Sequence, residues 1–244
     1  MSDTLVEQVV EPLGDTEAAV VDLSVSDVRD LNAALHAADV AQKTPRWRVA
    51  HPDGRHSIAV GLDAEVDVEI DGHVGYYCAG MNKAATVTVH GNAGVGVAEN
   101  MMSGTVRVRG NASQAAGATA HGGLLVIEGS ASARCGISMK GVDIVVGGDV
   151  GHMSAFMGQA GRLVVCGDAG DALGDSLYEA RIYVQGTVKS LGADCEEKAM
   201  RPEHLAELAD LLRAAGTDAD PAAFRRFGSA RRLYNFHVDN ASSY

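Results

Sequence analysis

From residue 68 to residue 186 the chain repeats one short pattern, in which aliphatic residues alternate with other side chains and the run closes on a glycine. The closing glycines are Gly72, Gly91, Gly110, Gly129, Gly148, Gly167 and Gly186, spaced by 19 residues with no slippage. Two and four positions before them stand Ile70/Val68, Val89/Val87, Val108/Val106, Ile127/Leu125, Val146/Ile144, Val165/Leu163 and Val184/Ile182, all aliphatic and mostly β-branched. Period-two branched residues ended by a turn glycine predict a short strand with one buried face. Two further columns hold only small or medium apolar residues. Val74, Ala93, Ala112, Ala131, Val150, Ala169 and Val188 follow the glycine by two, and Ala79, Ala98, Gly117, Gly136, Ala155, Gly174 and Ala193 follow it by seven.

Positions that stay chemically alike every 19 residues are explained by coils stacked like a spring, each strand pairing with its copy one turn along, about 4.8 Å away. The predicted fold is all-β: a right-handed single-stranded β-helix (β-solenoid) of about seven 19-residue coils, a rod about 30 to 35 Å long. A left-handed hexapeptide helix would need an aliphatic residue every six positions, and the signatures of propellers, leucine-rich repeats and calcium-binding rolls are missing.

Open strand edges at both ends of such a rod must be covered. Residues 1–55 are expected to form an N-terminal α/β cap. Ala18 to Leu23 reads as a strand, and Ser26 caps a helix through Val28, Leu31 and Leu35. Trp47 to His51 and His56 to Val60, joined at Pro52-Asp53-Gly54, read as a hairpin or an imperfect first coil. The β-helix is assigned to 56–195, and 196–244 to a C-terminal helical cap and interface tail. The helix starts at Pro202, carries Leu205, Leu208, Leu211 and Leu212 on one face, and stops at Gly216.

Charge narrows the partners. Thirty-two acids against twenty bases in 244 residues leave a net charge of −12, which repels nucleic acid and anionic lipid. No apolar run approaches the roughly 20 residues of a membrane span, and Met1-Ser2-Asp3-Thr4 does not open a secretory signal, so no membrane is expected and the cytoplasm is the expected location.

Chemical motifs are few. Gly91 to Gly96 resembles a phosphate loop but lacks the strand-loop-helix context and reads as a turn. Cys78 and Cys135 fall three coils, about 14 Å, apart, too far for a disulfide or a shared metal. Cys166 ends a strand and Cys195 follows the last coil, so buried small hydrophobes are expected. His73, His90, His121 and His152 fall on different walls of the coil, and the acids Asp168/Asp171 and Glu65/Asp67/Glu69 read as solvent-facing. No catalytic, cofactor or metal site is expected in this chain. The tail differs in kind: Arg225, Arg226, Arg231 and Arg232 mingle with Phe224, Phe227, Tyr234 and Phe236, the residue types interface cores favour. It docks either on the acidic parts of its own chain or on another protein.

The coils, with segments such as Gly72-His73-Val74-Gly75-Tyr76-Tyr77-Cys78-Ala79-Gly80-Met81 and Gly167-Asp168-Ala169-Gly170-Asp171-Ala172-Leu173-Gly174, resemble the GXGXG domain of glutamate synthase, a domain type that also occurs in a subunit of formylmethanofuran dehydrogenase. Over its whole length, including Met200-Arg201-Pro202-Glu203-His204 and the run from Arg231 to Asn240, the chain is similar to the stand-alone B subunits of N-methylglutamate synthase-type complexes. The resemblance implies a structural subunit of a hetero-oligomer that bridges an amidotransferase-like subunit and an FMN-dependent synthase subunit. The reaction implied is methylamine plus glutamate to N-methylglutamate plus ammonia. FMN and an iron-sulfur cluster are expected in a partner, since this chain has neither the N-terminal nucleophilic cysteine nor the clustered cysteines nor a barrel alternation. The competing reading, a free-standing β-helix enzyme acting on polysaccharide, would want stacked aromatics and a carboxylate cluster, and the chain has eleven aromatics, four of them between Phe224 and Phe236.

Overall fold

A computed structural model describes residues 18–37 and 39–231. One sheet of eleven strands runs the length of the molecule in the order β1-β2-β3-β4-β5-β6-β7-β8-β9-β11-β10. The strands are β1 (Ala19–Asp22), β2 (Arg46–Ala50), β3 (Asp67–Ile70), β4 (Thr86–Val89), β5 (Thr105–Val108), β6 (Leu124–Ile127), β7 (Lys140–Val146), β8 (Ala160–Val165), β9 (Arg181–Val184), β10 (Cys195–Lys198) and β11 (Arg225–Ser229). The helices are α1 (Val28–Leu35), α2 (Val40–Lys43) and α3 (Pro202–Ala215).

β1 to β9 are all parallel, and the register follows the 19-residue spacing: Ile70 pairs with Val89, Val89 with Val108, Val108 with Ile127, and so on to Val184. The fold is the right-handed β-helix that the glycine period predicts. Its interior is a stack of aliphatic side chains, with Ile70, Val89, Val108, Ile127, Val146, Val165 and Val184 all fully buried. A second wall forms where Val74, Ala93, Ala112, Ala131, Val150, Ala169 and Val188 bridge in parallel from coil to coil.

The third wall is a stack of turns. Positions five, seven and nine after each repeat glycine lie in the left-handed region in six successive coils, beginning with Tyr77, Ala79 and Met81 (φ +60°, +53°, +57°) and ending with Ala172, Gly174 and Ser176 (φ +55°, +66°, +54°). Backbone bonds then run alternately up and down the stack. Tyr77 N–H donates to Val95 C=O in the next coil, Ala79 N–H to Ile58 C=O in the previous one, and Met81 N–H to Glu99 C=O in the next. Smallness at the column seven after the glycine therefore reflects a left-handed backbone as well as packing.

The ends show where local reading differs from tertiary structure. Trp47 to His51 is no hairpin arm: β2 pairs in parallel with β3 (Val49 with Ile70) and with β1 (Val21 with Val49), so it is the imperfect first coil. Helix α1 is capped by Asp27, not Ser26. The Asp27 carboxylate accepts from Arg29 N–H at 2.8 Å, whereas the Ser26 N–H is tied to Asp22 C=O in the turn that ends β1. Leu31 and Leu35 of α1 close the near end of the core.

The far end has a two-part cover. β11 pairs antiparallel with β9, and β10 pairs outside β11. Helix α3, ended by Gly216 in the left-handed region, lies along the outer face of the sheet, its Leu208, Leu211, Leu212 and Ala215 packed with Val126, Val145, Val164, Tyr183 and Phe224. The sequence explains that position. Three residues before the repeat glycines, the outward column changes from Glu69, Thr88 and Arg107 to Val126, Val145, Val164 and Tyr183, so the outer face acquires an apolar stripe that must leave water.

Candidate functional site

The outward side chains of the β-helix fall into three arrays, the first of which is set by a single position of the repeat. The residue directly after each repeat glycine carries a hydrogen-bond acceptor that receives the backbone N–H of its copy one coil along. Asn92 N–H donates to His73 Nδ1 at 2.9 Å, Asn111 N–H to Asn92 Oδ1 at 2.8 Å, and Ser130 N–H to Asn111 Oδ1 at 2.8 Å. The series continues from Asp149 N–H to Ser130 Oγ (3.0 Å), Asp168 N–H to Asp149 Oδ1 (2.8 Å) and Thr187 N–H to Asp168 Oδ1 (2.7 Å). The Thr187 backbone and side chain hold the Asp168 carboxyl below the ordinary carboxylate range. Five repeat glycines, Gly110, Gly129, Gly148, Gly167 and Gly186, serve this ladder by lacking a side chain. A Cβ at Gly110 would lie 2.3 Å from Asn92 Oδ1, and one at Gly129 2.4 Å from Asn111 Oδ1.

The outer face of the strand wall carries the second array, of paired charges. A shallow cleft of about 780 Å3 over β2 to β4 is lined by Arg46, Arg48, Asp67, Glu69, Asp71 and His90 among others. Its charges answer one another: Arg48 Nε lies 2.5 Å from Asp71, and His90 bonds to Glu69. Farther along, Arg162 meets Asp143 through two bonds of 2.6 Å, and Glu207 of α3 receives the Tyr183 hydroxyl at 2.7 Å and Arg181 at 2.6 Å. Burial would raise the Glu207 carboxyl, but the Tyr183 bond together with Arg181 and Arg162 leaves it below the ordinary range.

The third array is the outward side of the turn wall, where Tyr76, Tyr77, Met81 and Met102 are exposed.

The cysteines do not meet. Burial pushes the thiols of Cys78 and Cys135 up to about 12, and mainly burial lifts Cys195 to about 11, so each is held as a neutral thiol at physiological pH. Cys195 closes the last coil beneath Gly174, where a Cβ would sit 2.8 Å from its sulfur. Among the described residues no three His, Cys, Asp or Glu side chains converge as a metal set, and no buried side-chain polar atom lacks a partner.

The tail segment 224–231 is engaged within the chain. Phe224 is buried against α3 and Phe227 in the main core. Arg225 pairs with Glu197 at 3.4 Å and covers the Phe227 ring, Arg226 donates to Ala199 C=O at 3.0 and 3.1 Å, and Arg231 pairs with Asp194. The acids that answer this segment thus belong to β10 and the turn before it. Arg232, Tyr234 and Phe236 lie outside the described residues. The acceptor ladder was readable in the sequence, because His73, Asn92, Asn111, Ser130, Asp149, Asp168 and Thr187 are all short polar or imidazole side chains at one offset. Considering the histidines apart from that column hides it.

No protein-family model matches the chain. It is 63% identical over 226 residues to protein GlxC of Rhizobium meliloti (strain 1021), an alignment that spans 92% of this chain and 99% of that protein.

Proposed function

The chain belongs to the family of protein GlxC, and from that premise we propose that it is a structural subunit, without an active site of its own, of a glutamate synthase-like complex. The finer reading is an N-methylglutamate synthase, in which the β-helix bridges an amidotransferase-like subunit and an FMN-dependent synthase subunit that also carries the iron-sulfur cluster. The overall reaction is methylamine plus glutamate to N-methylglutamate plus ammonia.

The filled interior is the observation that carries this reading. Every coil presents fully buried aliphatic side chains to the axis, and three sets of bonds join each coil to the next: the parallel strands, the two-way turn bonds and the acceptor ladder. Such a rod resists bending and shear, because any displacement of one coil breaks bonds on all three walls at once. Two active sites that hand on a small amine need a fixed separation and protection from water, and a rigid wall supplies both. Because the axis is packed, an amine would pass along the outside of the rod, between it and a partner.

Co-expression with the two expected partner subunits tests the proposal. A yellow complex that elutes as one species, and loses coupled turnover of methylamine and glutamate when this subunit is omitted, is the expected result. Turnover by the isolated chain, or elution of the chain alone in the presence of both partners, would overturn it.

A further inference from the structure

Helix α3, which covers the strand wall, starts on a cap that depends on protonation. In the usual capping box a glutamate or glutamine at the third helical position reaches back to the backbone N–H of the residue before the helix. In α3 that third position holds a histidine. His204 Nδ1 accepts the Arg201 N–H at 3.2 Å, and the Arg201 C=O receives the N–H groups of His204 and Leu205 at 3.0 and 3.1 Å. Arginine at the N-cap has no acceptor of its own, so His204 is the side chain that closes this turn. Its Nδ1 offers a lone pair only while the ring is neutral, with its proton on Nε2.

The surroundings disfavour a second proton on the ring. His204 is 9% exposed, and it lies in the first turn of a 14-residue helix, at the positive end of the dipole. Arg226 faces it from β11 and Arg181 from β9, while Arg201 stands at the cap itself. The opposing acids, Glu203 and Glu207 of α3, are shared with other groups. Glu207 receives the Tyr183 hydroxyl and Arg181, with Arg162 at 3.3 Å, and Glu203 lies 3.8 Å from Arg201. Burial, and after it Arg226, therefore hold the His204 imidazole below its ordinary value of 6.5.

The same corner joins α3 to the end of the sheet. Arg226 donates to the C=O of Ala199, between β10 and the helix, and Met200 and Leu208 belong to the apolar cluster that includes Tyr183 and Phe224.

We propose that the first turn of α3 is an acid-sensitive latch, in which a proton taken up at His204 Nδ1 releases the Arg201 N–H and opens the corner that holds residues 199–205 on the sheet. The open corner takes that proton more readily than the closed one. The latch is thus fully closed above the ordinary histidine value and loosens as pH falls from there through the lower folded value. Glu207, a turn farther along, acts in a separate window below the ordinary glutamate value of 4.5, so the cover is released in two steps. The inference concerns this chain alone and does not depend on the scaffold reading.

Hydrogen exchange of the full chain, read by mass spectrometry on peptides spanning 199–208 and corrected for the intrinsic pH dependence of exchange, tests the latch. Opening of the corner is expected to rise about three- to tenfold between pH 7.5 and pH 5.5, while peptides from β4 and β5 stay unchanged. His204→Gln places an acceptor that does not titrate at the same position and should abolish the rise. His204→Ala removes the acceptor and should leave the corner open at both pH values. A nuclear magnetic resonance titration of the wild-type imidazole needs no variant: His204 should take its proton at lower pH in the folded chain than in the denatured one. Equal wild-type opening at both pH values, a rise confined to pH below 5, or a rise of the same size in folded His204→Gln would overturn the inference. So would an imidazole that titrates alike in the folded and denatured chains.

Discussion

Asn111 and Gly129 act as one device. Asn111 Oδ1 accepts the Ser130 N–H from one coil along at 2.8 Å, and it occupies the place where a Cβ on Gly129 would lie, 2.4 Å away. The same pairing of a glycine with the polar acceptor of the coil before it holds at Gly110, Gly129, Gly148, Gly167 and Gly186, which ties the glycine period there to hydrogen bonding between coils.

Removing the acceptor should cost one bond per site. Asn111→Ala is expected to lower stability by about 1 kcal/mol, whereas Asn111→Asp, which keeps an acceptor at the same reach, should be close to wild type. Urea denaturation at neutral pH compares the two. Equal losses for both would show that the ladder contributes no net stability.

Adding the side chain that the device forbids should cost more. At Gly110 a Cβ would meet Asn92 Oδ1 at 2.3 Å and Gly91 O at 2.8 Å, so the coils must part to admit it. Gly110→Ala is expected to destabilise by about 1–3 kcal/mol, and the double variant with Asn92→Gly should recover part of that loss by clearing the carboxamide. Thermal melts of the single and double variants read the recovery.

The strand columns were legible because a sheet buried on the inside of a coil leaves no alternative to aliphatic residues at Val87, Val106 or Leu125. The turn wall was not, since a left-handed backbone is usually announced by glycine. Here Tyr77, Met81, Arg134 and Met153 hold it, kept there by bonds to neighbouring coils that no local pattern contains. The tail posed a different difficulty. Composition marks Arg225 and Phe224 as interface residues, but it cannot say whether the opposing surface belongs to the same chain. The partner of Arg225 proves to be Glu197, 28 residues upstream.

Glu207 predicts an acid-sensitive attachment of α3. Burial alone would raise its carboxyl, but the Tyr183 hydroxyl, Arg181 and Arg162 more than compensate, and the folded value lies below the unfolded one. Its contribution is thus complete above the ordinary glutamate range near 4.5 and is lost as pH falls through the depressed folded value. Glu207→Gln should destabilise at pH 7 by about 1–3 kcal/mol, the scale of hydrogen bonds to a charged group. The gap to wild type should narrow towards pH 3. A gap that stays constant with pH would mean the carboxylate charge is not what holds the helix.

Cys78 and Cys135 should be silent to thiol reagents while the chain is folded. Both are fully buried, with thiols pushed up to about 12. At pH 8 the nucleophilic thiolate is scarce and sterically shut away. Peptide mass spectrometry after a short exposure to iodoacetamide should find neither modified, and both modified in denaturant. Labelling of Cys135 in the native chain would indicate that coils open locally at the middle of the rod.

Arg134 allows the left-handed wall to be tested without disturbing a contact. It lies at φ +60°, its side chain is exposed, and its N–H bonds to His152 C=O in the next coil. Glycine relieves a backbone cost of about 1–2 kcal/mol at such a position, while its freedom in the unfolded chain takes back about 0.4–1 kcal/mol. Arg134→Gly should therefore be neutral to mildly stabilising. Arg134→Val places a β-branched residue in the same conformation and should be clearly worse than either, since branching at Cβ aggravates the clash with the following carbonyl. Chemical denaturation of the pair orders them. If valine were tolerated as well as glycine, the positive φ at Arg134 and its counterparts in this wall would not be a constraint in solution.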